Sequence, residues 1–222
     1  MTKNNWLKLI ASIAVCEAAG IAGSFFTAGS ISSGWYNSLP KPALTPPSWV
    51  FAPAWTTLYL LMGVSLFLVL KHPNILGNVG MSGKRKLAIS LFFFQLALNV
   101  LWSILFFGLH NPALAFADII VLWLSILATI IAFAKTSVPS SKQQSAKQSH
   151  DKLAAWLLVP YLLWVSFASY LNGSIWFSVL KTTDGGNIVC AQDVKICGDG
   201  SYVTRTSPNC EFGNCPDNHS AL

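Results

Sequence analysis

Residues 119–133 read IIVLWLSILATIIAF, and residues 58–70 read LYLLMGVSLFLVL. Neither alternates apolar with polar residues, as a strand with one face to lipid and one to a lumen must. Each lies in a run of about 20 mainly apolar residues, the length a helix needs to cross the hydrocarbon core. Working outward, five runs qualify, approximately Trp6–Phe26, Trp49–Leu70, Leu87–Phe107, Ala113–Ala134 and Leu153–Leu180. Most of the Lys, Pro, Ser and Gly falls between them. The fifth run is long and contains Pro160, which predicts a kink or tilt. The expected fold is an all-α membrane protein: a five-transmembrane-helix bundle over residues 1–180, then a short disulfide-rich C-terminal tail over 181–222.

Composition points the same way. Of 222 residues, 53% are hydrophobic and 10% charged, against about 25% charged in a soluble domain. So few charges cannot cover a globular surface, which excludes a soluble domain, a coiled coil and a disordered chain. The formal net charge is +6, but its distribution fits membrane orientation and not nucleic-acid binding. Five helices put the N-terminus, the second connection and the fourth connection on one side. That side carries Lys3, Lys8, Lys71, Lys84, Arg85, Lys86, Lys135, Lys142, Lys147 and Lys152, while Lys41, Lys181, Lys195 and Arg205 fall opposite. The positive-inside rule then places the N-terminus in the cytoplasm and the tail outside, in the periplasm or beyond it. Lys3 and Lys8 before an apolar run also suit a signal peptide, but Glu17 in mid-run argues against one.

The tail holds Cys190, Cys197, Cys210 and Cys215, with gaps of six, twelve and four residues and no His between them. Zinc knuckles are paired more closely, so the spacing favours two disulfides, with three connectivities open. The orientation independently puts these cysteines in an oxidising compartment. The stretch CAQDVKICGDGSYVTRTSPNCEFGNCP resembles a cysteine-rich cassette at the ends of other exported bacterial proteins. Cys16, inside the first run, reads as a small packing residue.

Polar side chains within a membrane face other helices or a cavity. Gln95, Asn99, Trp102 and Phe106 share one helical face; Trp164, Ala168 and Asn172 share another, with Pro160 one turn earlier; Trp55, Tyr59 and Met62 share a third. Interhelical packing accounts for any one of them. Three such faces together point to a ligand cavity. Trp6, Trp49 and Trp176 lie near helix ends, as interfacial anchors do; Trp123 and Trp156 are assigned to packing or interface. Cys16, Ala19, Gly20 and Gly23 suit close helix approach. Glu17 and Asp118 are isolated acids, too few for a proton relay, and Asp118 reads as structural. No phosphate-binding loop, nucleophile elbow, His cluster or membrane His pair is present, so hydrolase, ATPase and cytochrome readings lack residues, and no metal site is expected.

Three segments carry a resemblance: WYNSLPKPALTPPSWVFAPAWTTLYLLMG from Trp35, FFFQLALNVLWSILFFGL from Phe92 and LLVPYLLWVSFASYLNGSIW from Leu157. In this order they resemble the translocator protein family, called TspO or tryptophan-rich sensory proteins in bacteria and formerly peripheral benzodiazepine receptors in mammals. The resemblance covers roughly residues 6–180 and not the tail. It implies a five-helix bundle, commonly a homodimer, with a cavity capped by the loop after the first helix. It also implies binding of porphyrins such as protoporphyrin IX and, in some members, sterols and synthetic drugs. By motif position, Trp35 lies at the closing loop. Trp55 and Trp164 match the two tryptophans associated with porphyrin binding and its light-dependent breakdown. Asn99, Ala168 and Asn172 match cavity-lining positions. The sterol motif of animal members is not matched, because Asn172 is followed by Gly173, Ser174, Ile175, Trp176 and Phe177, with no basic residue before Lys181.

The expectation is a bacterial inner-membrane sensor or scavenger that binds porphyrin as its ligand and requires no cofactor. Trp35, Trp55, Asn99, Trp102, Trp164, Ala168 and Asn172 are its candidate ligand residues. Two alternatives stay open. In one, the protein is an enzyme degrading porphyrin under light, with Trp55 or Trp164 as the redox-active group. In the other it transports tetrapyrroles or other apolar ligands, although inverted repeats and broken helix pairs are not evident.

Overall fold

The computed structural model describes residues 3–71, 83–135, 152–184, 194–198, 200–206 and 210–215. Its helices are α1 (Lys3–Ser32), the single-turn α2 (Trp35–Ser38), α3 (Phe51–Leu70), α4 (Gly83–Ser103), α5 (Pro112–Lys135) and α6 (Val159–Asp184). A 3₁₀ turn, Ser48–Val50, leads into α3, and α4 continues into a π-turn, Ile104–Gly108. Five segments are long and apolar enough to span a bilayer: Lys3–Ser32, Ser48–Leu70, Gly83–Gly108, Pro112–Lys135 and Lys152–Leu180. These are the five expected spans. The first runs further than its most apolar stretch, because Ser24, Thr27 and Ser32 return their hydroxyls to carbonyls three or four residues earlier and so stay within the helix.

The disturbance expected at Pro160 sits two residues earlier. Residues 152–157 are helical, Leu158 is not, and α6 begins at Val159. Pro160 has no N–H to donate to the carbonyl of Trp156. The local ladder reorganises, with the Leu158 amide donating to Ala155 O at 3.2 Å.

Two compact units divide the chain, Met1–Ser174 and Ile175–Leu222. In the first, which includes the fifth span as far as Ser174, the spans close into a ring. α1 packs on α3 and α4, and α4 packs on α5. α3 meets the fifth span where the Ser65 hydroxyl donates to Ala154 O at 2.7 Å. α5 meets it where the Trp123 indole donates to Ser166 Oγ at 2.8 Å, which gives Trp123 a partner that helical spacing did not show. Close approach of α1 and α3 depends on Gly63, since a Cβ there would fall 2.6 Å from Ile13 Cα. Buried Leu66, Phe92, Leu122, Ile126, Leu158 and Val165 fill the interior, and the free Cys16 is fully buried as a packing residue. Of the tryptophans expected near helix ends, Trp6 and Trp49 are exposed and Trp176 is half-buried; Trp156 is exposed.

The second unit adds a three-stranded antiparallel sheet to the all-α expectation: β1 (Val194–Ile196), β2 (Tyr202–Thr206) and β3 (Glu211–Phe212), in that order. The register pairs Val194 with Thr204 and Arg205 with Phe212. The Arg205 guanidinium lies 4.1 Å from the Phe212 ring centre and donates to Cys210 O at 2.9 Å. A disulfide joins Cys197 to Cys215, with Cα atoms 5.6 Å apart, and Cys210 is also disulfide-bonded. Cys190 lies outside the described residues. Closing a loop of this length stabilises by about 3 kcal/mol, a large share for a sheet so short.

Candidate functional site

Two aromatic groups meet inside the ring, and α4 supplies polar residues to both. In the first, Trp55 of α3 and Trp164 of α6 approach edge to face, centroids 6.3 Å apart and planes at 83°. Trp55 also stacks on Tyr59 at 5.6 Å and meets Tyr161 at 6.4 Å, while Phe51 presents its ring to Trp164 at 6.0 Å. These separations lie in the range where aromatic quadrupoles attract. Both tryptophans are half-buried. They therefore keep surface free, which Tyr161, wholly buried, does not.

Beneath this pair lies Asn99. Its carbonyl accepts from the Tyr59 hydroxyl, and its amide donates to Tyr161 Oη at 2.8 Å. One amide thus ties α3, α4 and α6 together. One turn on, the Trp102 indole donates to Asn172 Oδ1 at 3.0 Å, and Asn172 Nδ2 donates to Pro112 O at 2.8 Å. Asn99 and Asn172 are 3% and 1% exposed. Their amides hold helices together and fix Tyr59, Tyr161 and the Trp102 indole. Ala168, half-buried, packs against the same core, one turn beyond Trp164. Gln95, one turn before Asn99, is 1% exposed, and neither amide atom finds a partner among the described residues. Asp118 Oδ2 is likewise unpartnered there.

The second group is built on the short helix α2. Gly34 adopts φ 78° to start it, a conformation that suits glycine. Trp35 then stacks on His110, centroids 4.2 Å apart and planes at 21°, and meets Phe106 edge-on at 5.6 Å. Phe106 in turn stacks on Trp102 at 5.2 Å. Tyr36 meets Phe107 at 5.7 Å and carries the Lys41 ammonium 4.5 Å from its ring centre. Burial raises the pKa of the Tyr36 phenol, which keeps it neutral. His110 holds a left-handed φ of 52°, and its Nε2 lies 3.0 Å from Ser30 Oγ.

Trp55, Trp164 and Asn99 therefore come together through Tyr59 and Tyr161; Trp102, Asn172 and Trp35 come together through Phe106. The tail cysteines belong to the other compact unit. Spacing alone missed Tyr161, although it lies three residues before Trp164 and so on its face. It also missed His110 and Ser30, whose pairing across 80 residues leaves no periodic trace. Among the described residues no group of three His, Cys, Asp or Glu forms a metal site.

Residues 12–177 match the TspO/MBR family. The tryptophan-rich protein TspO of Archaeoglobus fulgidus is 42% identical over 172 residues, covering 78% of this chain and 97% of that protein. The tryptophan-rich sensory protein of Cereibacter sphaeroides is 33% identical over 168 residues, covering 76% and 89%. The human translocator protein is 37% identical over 142 residues, covering 64% and 73%.

Proposed function

The chain belongs to the TspO/MBR family of multi-pass membrane proteins, and from that premise we propose that it is a porphyrin-binding sensor or scavenger acting from within the bilayer of a bacterial inner membrane. The observation that carries this reading is the meeting of Trp55 and Trp164, two half-buried indoles from separate helices, beside the Tyr59 and Tyr161 rings that Asn99 holds. A porphyrin is a large flat apolar disc, and indole faces suit it by stacking. Partition into lipid concentrates such a ligand beside the spans. The amides of Asn99 and Asn172 are already engaged, so they act by holding Tyr161 and Trp102 in place. Trp55, Trp102, Trp164 and Ala168 come from three helices of the ring, and Trp35 reaches Trp102 through Phe106.

A second reading has its own support. Trp164, Tyr59 and Tyr161 each meet Trp55, a cluster of oxidisable rings that suits electron transfer to an illuminated porphyrin. Titration with protoporphyrin IX in darkness, followed by illumination and product analysis, tests both. Saturable tryptophan quenching in darkness supports binding, and new products that need light and protein together support degradation. Absence of saturable quenching overturns the proposal. The family's common dimer and the cytoplasmic N-terminus complete the proposed assembly.

A further inference from the structure

Adjacent residues of α2 each hold one basic side chain by its ring. Trp35 stacks on His110 and Tyr36 carries Lys41. Residues 18–117 contain no Asp or Glu, so this surface presents basic groups without acids nearby in the chain. The hydrogen bonding also decides which imidazole nitrogen is free. Ser30 has one hydroxyl hydrogen, which goes to Phe107 O at 2.5 Å. Ser30 Oγ must therefore accept from His110 Nε2–H across their 3.0 Å contact. That leaves Nδ1 as the ring nitrogen Ser30 does not engage, and a donor to an anion only when both ring nitrogens carry hydrogen. The Lys41 ammonium has three N–H groups and makes one long contact, 3.5 Å to Asn37 O, so it too has donors to offer. His110 is exposed and Lys41 half-buried. The left-handed backbone at His110 costs about 1–2 kcal/mol, a cost offset by the ring stack and the Ser30 bond.

We propose that Lys41 and His110 form a carboxylate-recognising rim at the short helix α2, selecting tetrapyrroles that carry free acid side chains over neutral flat molecules. This rests on the porphyrin reading above and adds its chemical specificity. The disc takes the indoles, and its acidic edge takes the two basic groups. Both lie on or beside α2, whose Trp35 reaches Trp102 through Phe106. The rim and the Trp102 indole are thus parts of one connected aromatic group.

The test compares protoporphyrin IX with its dimethyl ester in darkness, by tryptophan quenching of the full chain in nanodiscs of fixed lipid composition. Comparing wild type with variants for the same ligand cancels partition into lipid. Lys41→Met keeps an apolar stem over Tyr36, and His110→Asn tolerates the left-handed backbone. Each is expected to weaken diacid binding about tenfold, ~1.4 kcal/mol, while leaving the diester within twofold. Lys41→Arg should restore most of the diacid affinity, which a merely structural role for Lys41 does not explain. If diacid and diester bind wild type alike, or the variants weaken both equally, the rim is overturned and the porphyrin reading stands. If neither ligand binds, the porphyrin reading falls and the rim with it.

Discussion

Asn99 donates to the Tyr161 hydroxyl across 2.8 Å, joining α4 to α6 at the centre of the ring of spans. The same side chain accepts from Tyr59 of α3. Three polar groups that separately would be costly in a membrane interior are made mutually satisfied.

Asn99→Leu should therefore lower stability by about 1–2 kcal/mol, because it strands two hydroxyls with no replacement partner. Adding Tyr59→Phe and Tyr161→Phe should recover most of that loss, since all three polar groups then leave together. Thermal unfolding in a single detergent reads both. A triple variant less stable than the single one would show that the three do not act as a unit.

Gly63→Ala should destabilise by about 1–3 kcal/mol, the range for overpacking, since its Cβ meets backbone at Ile13 and not a movable side-chain tip. Gly29 on α1 has nothing within 4 Å of the same position. Gly29→Ala should be neutral or stabilising by about 0.5–1 kcal/mol. The two melting shifts are expected to have opposite signs.

Ala168→Leu should weaken protoporphyrin IX about tenfold, ~1.4 kcal/mol, by filling space one turn from Trp164. Trp164→Phe keeps an aromatic face and should shift quenching and photoproducts more than melting temperature. Wild-type affinity in Ala168→Leu, together with unchanged spectra in Trp164→Phe and Trp55→Phe, would remove this wall from the site.

Reduction of the disulfides should loosen the tail and leave the bundle intact. The Cys197–Cys215 bridge supplies order that a two- to five-residue-stranded sheet lacks. Proteolysis after reduction should cut within the tail while the melting temperature of the spans holds. A membrane-impermeant thiol label should reach the tail from the periplasmic side, and only after reduction. Stopping the chain after Thr183 should keep porphyrin affinity; a tenfold drop would make the tail part of the site.

The five spans were legible in the sequence because lipid imposes a length and a composition on them. The shared faces of Gln95, Asn99 and Trp102, and of Trp164, Ala168 and Asn172, followed from 3.6-residue periodicity. Periodicity says which residues share a face and nothing about their partners. Asn99 meets Tyr161 from 62 residues away, and Trp102 meets Asn172 from 70. The stack of Trp35 on His110 was hidden for another reason. It needs a positive φ at a non-glycine residue and a π-turn just before it, and neither has a hydropathy signature. The sheet of the tail was equally hidden, since its strands are two to five residues long and tied by cysteines.

The π-turn at Ile104–Gly108 makes α4 a shaft with two phases. Leu109 donates back five residues to Ile104, and Asn111 six to Leu105, so one extra residue is wound into the end of the helix. Removing any single residue from this stretch would not shorten a loop. It would convert the π-turn into an ordinary α-turn and change the angle and rise at which the chain reaches His110. His110 would swing from beneath Trp35, and Asn111 would leave the first turn of α5, where its Oδ1 accepts from Leu114 N. Length at this point sets angular timing between the bundle and α2, so a one-residue deletion here should cost the stack of Trp35 on His110.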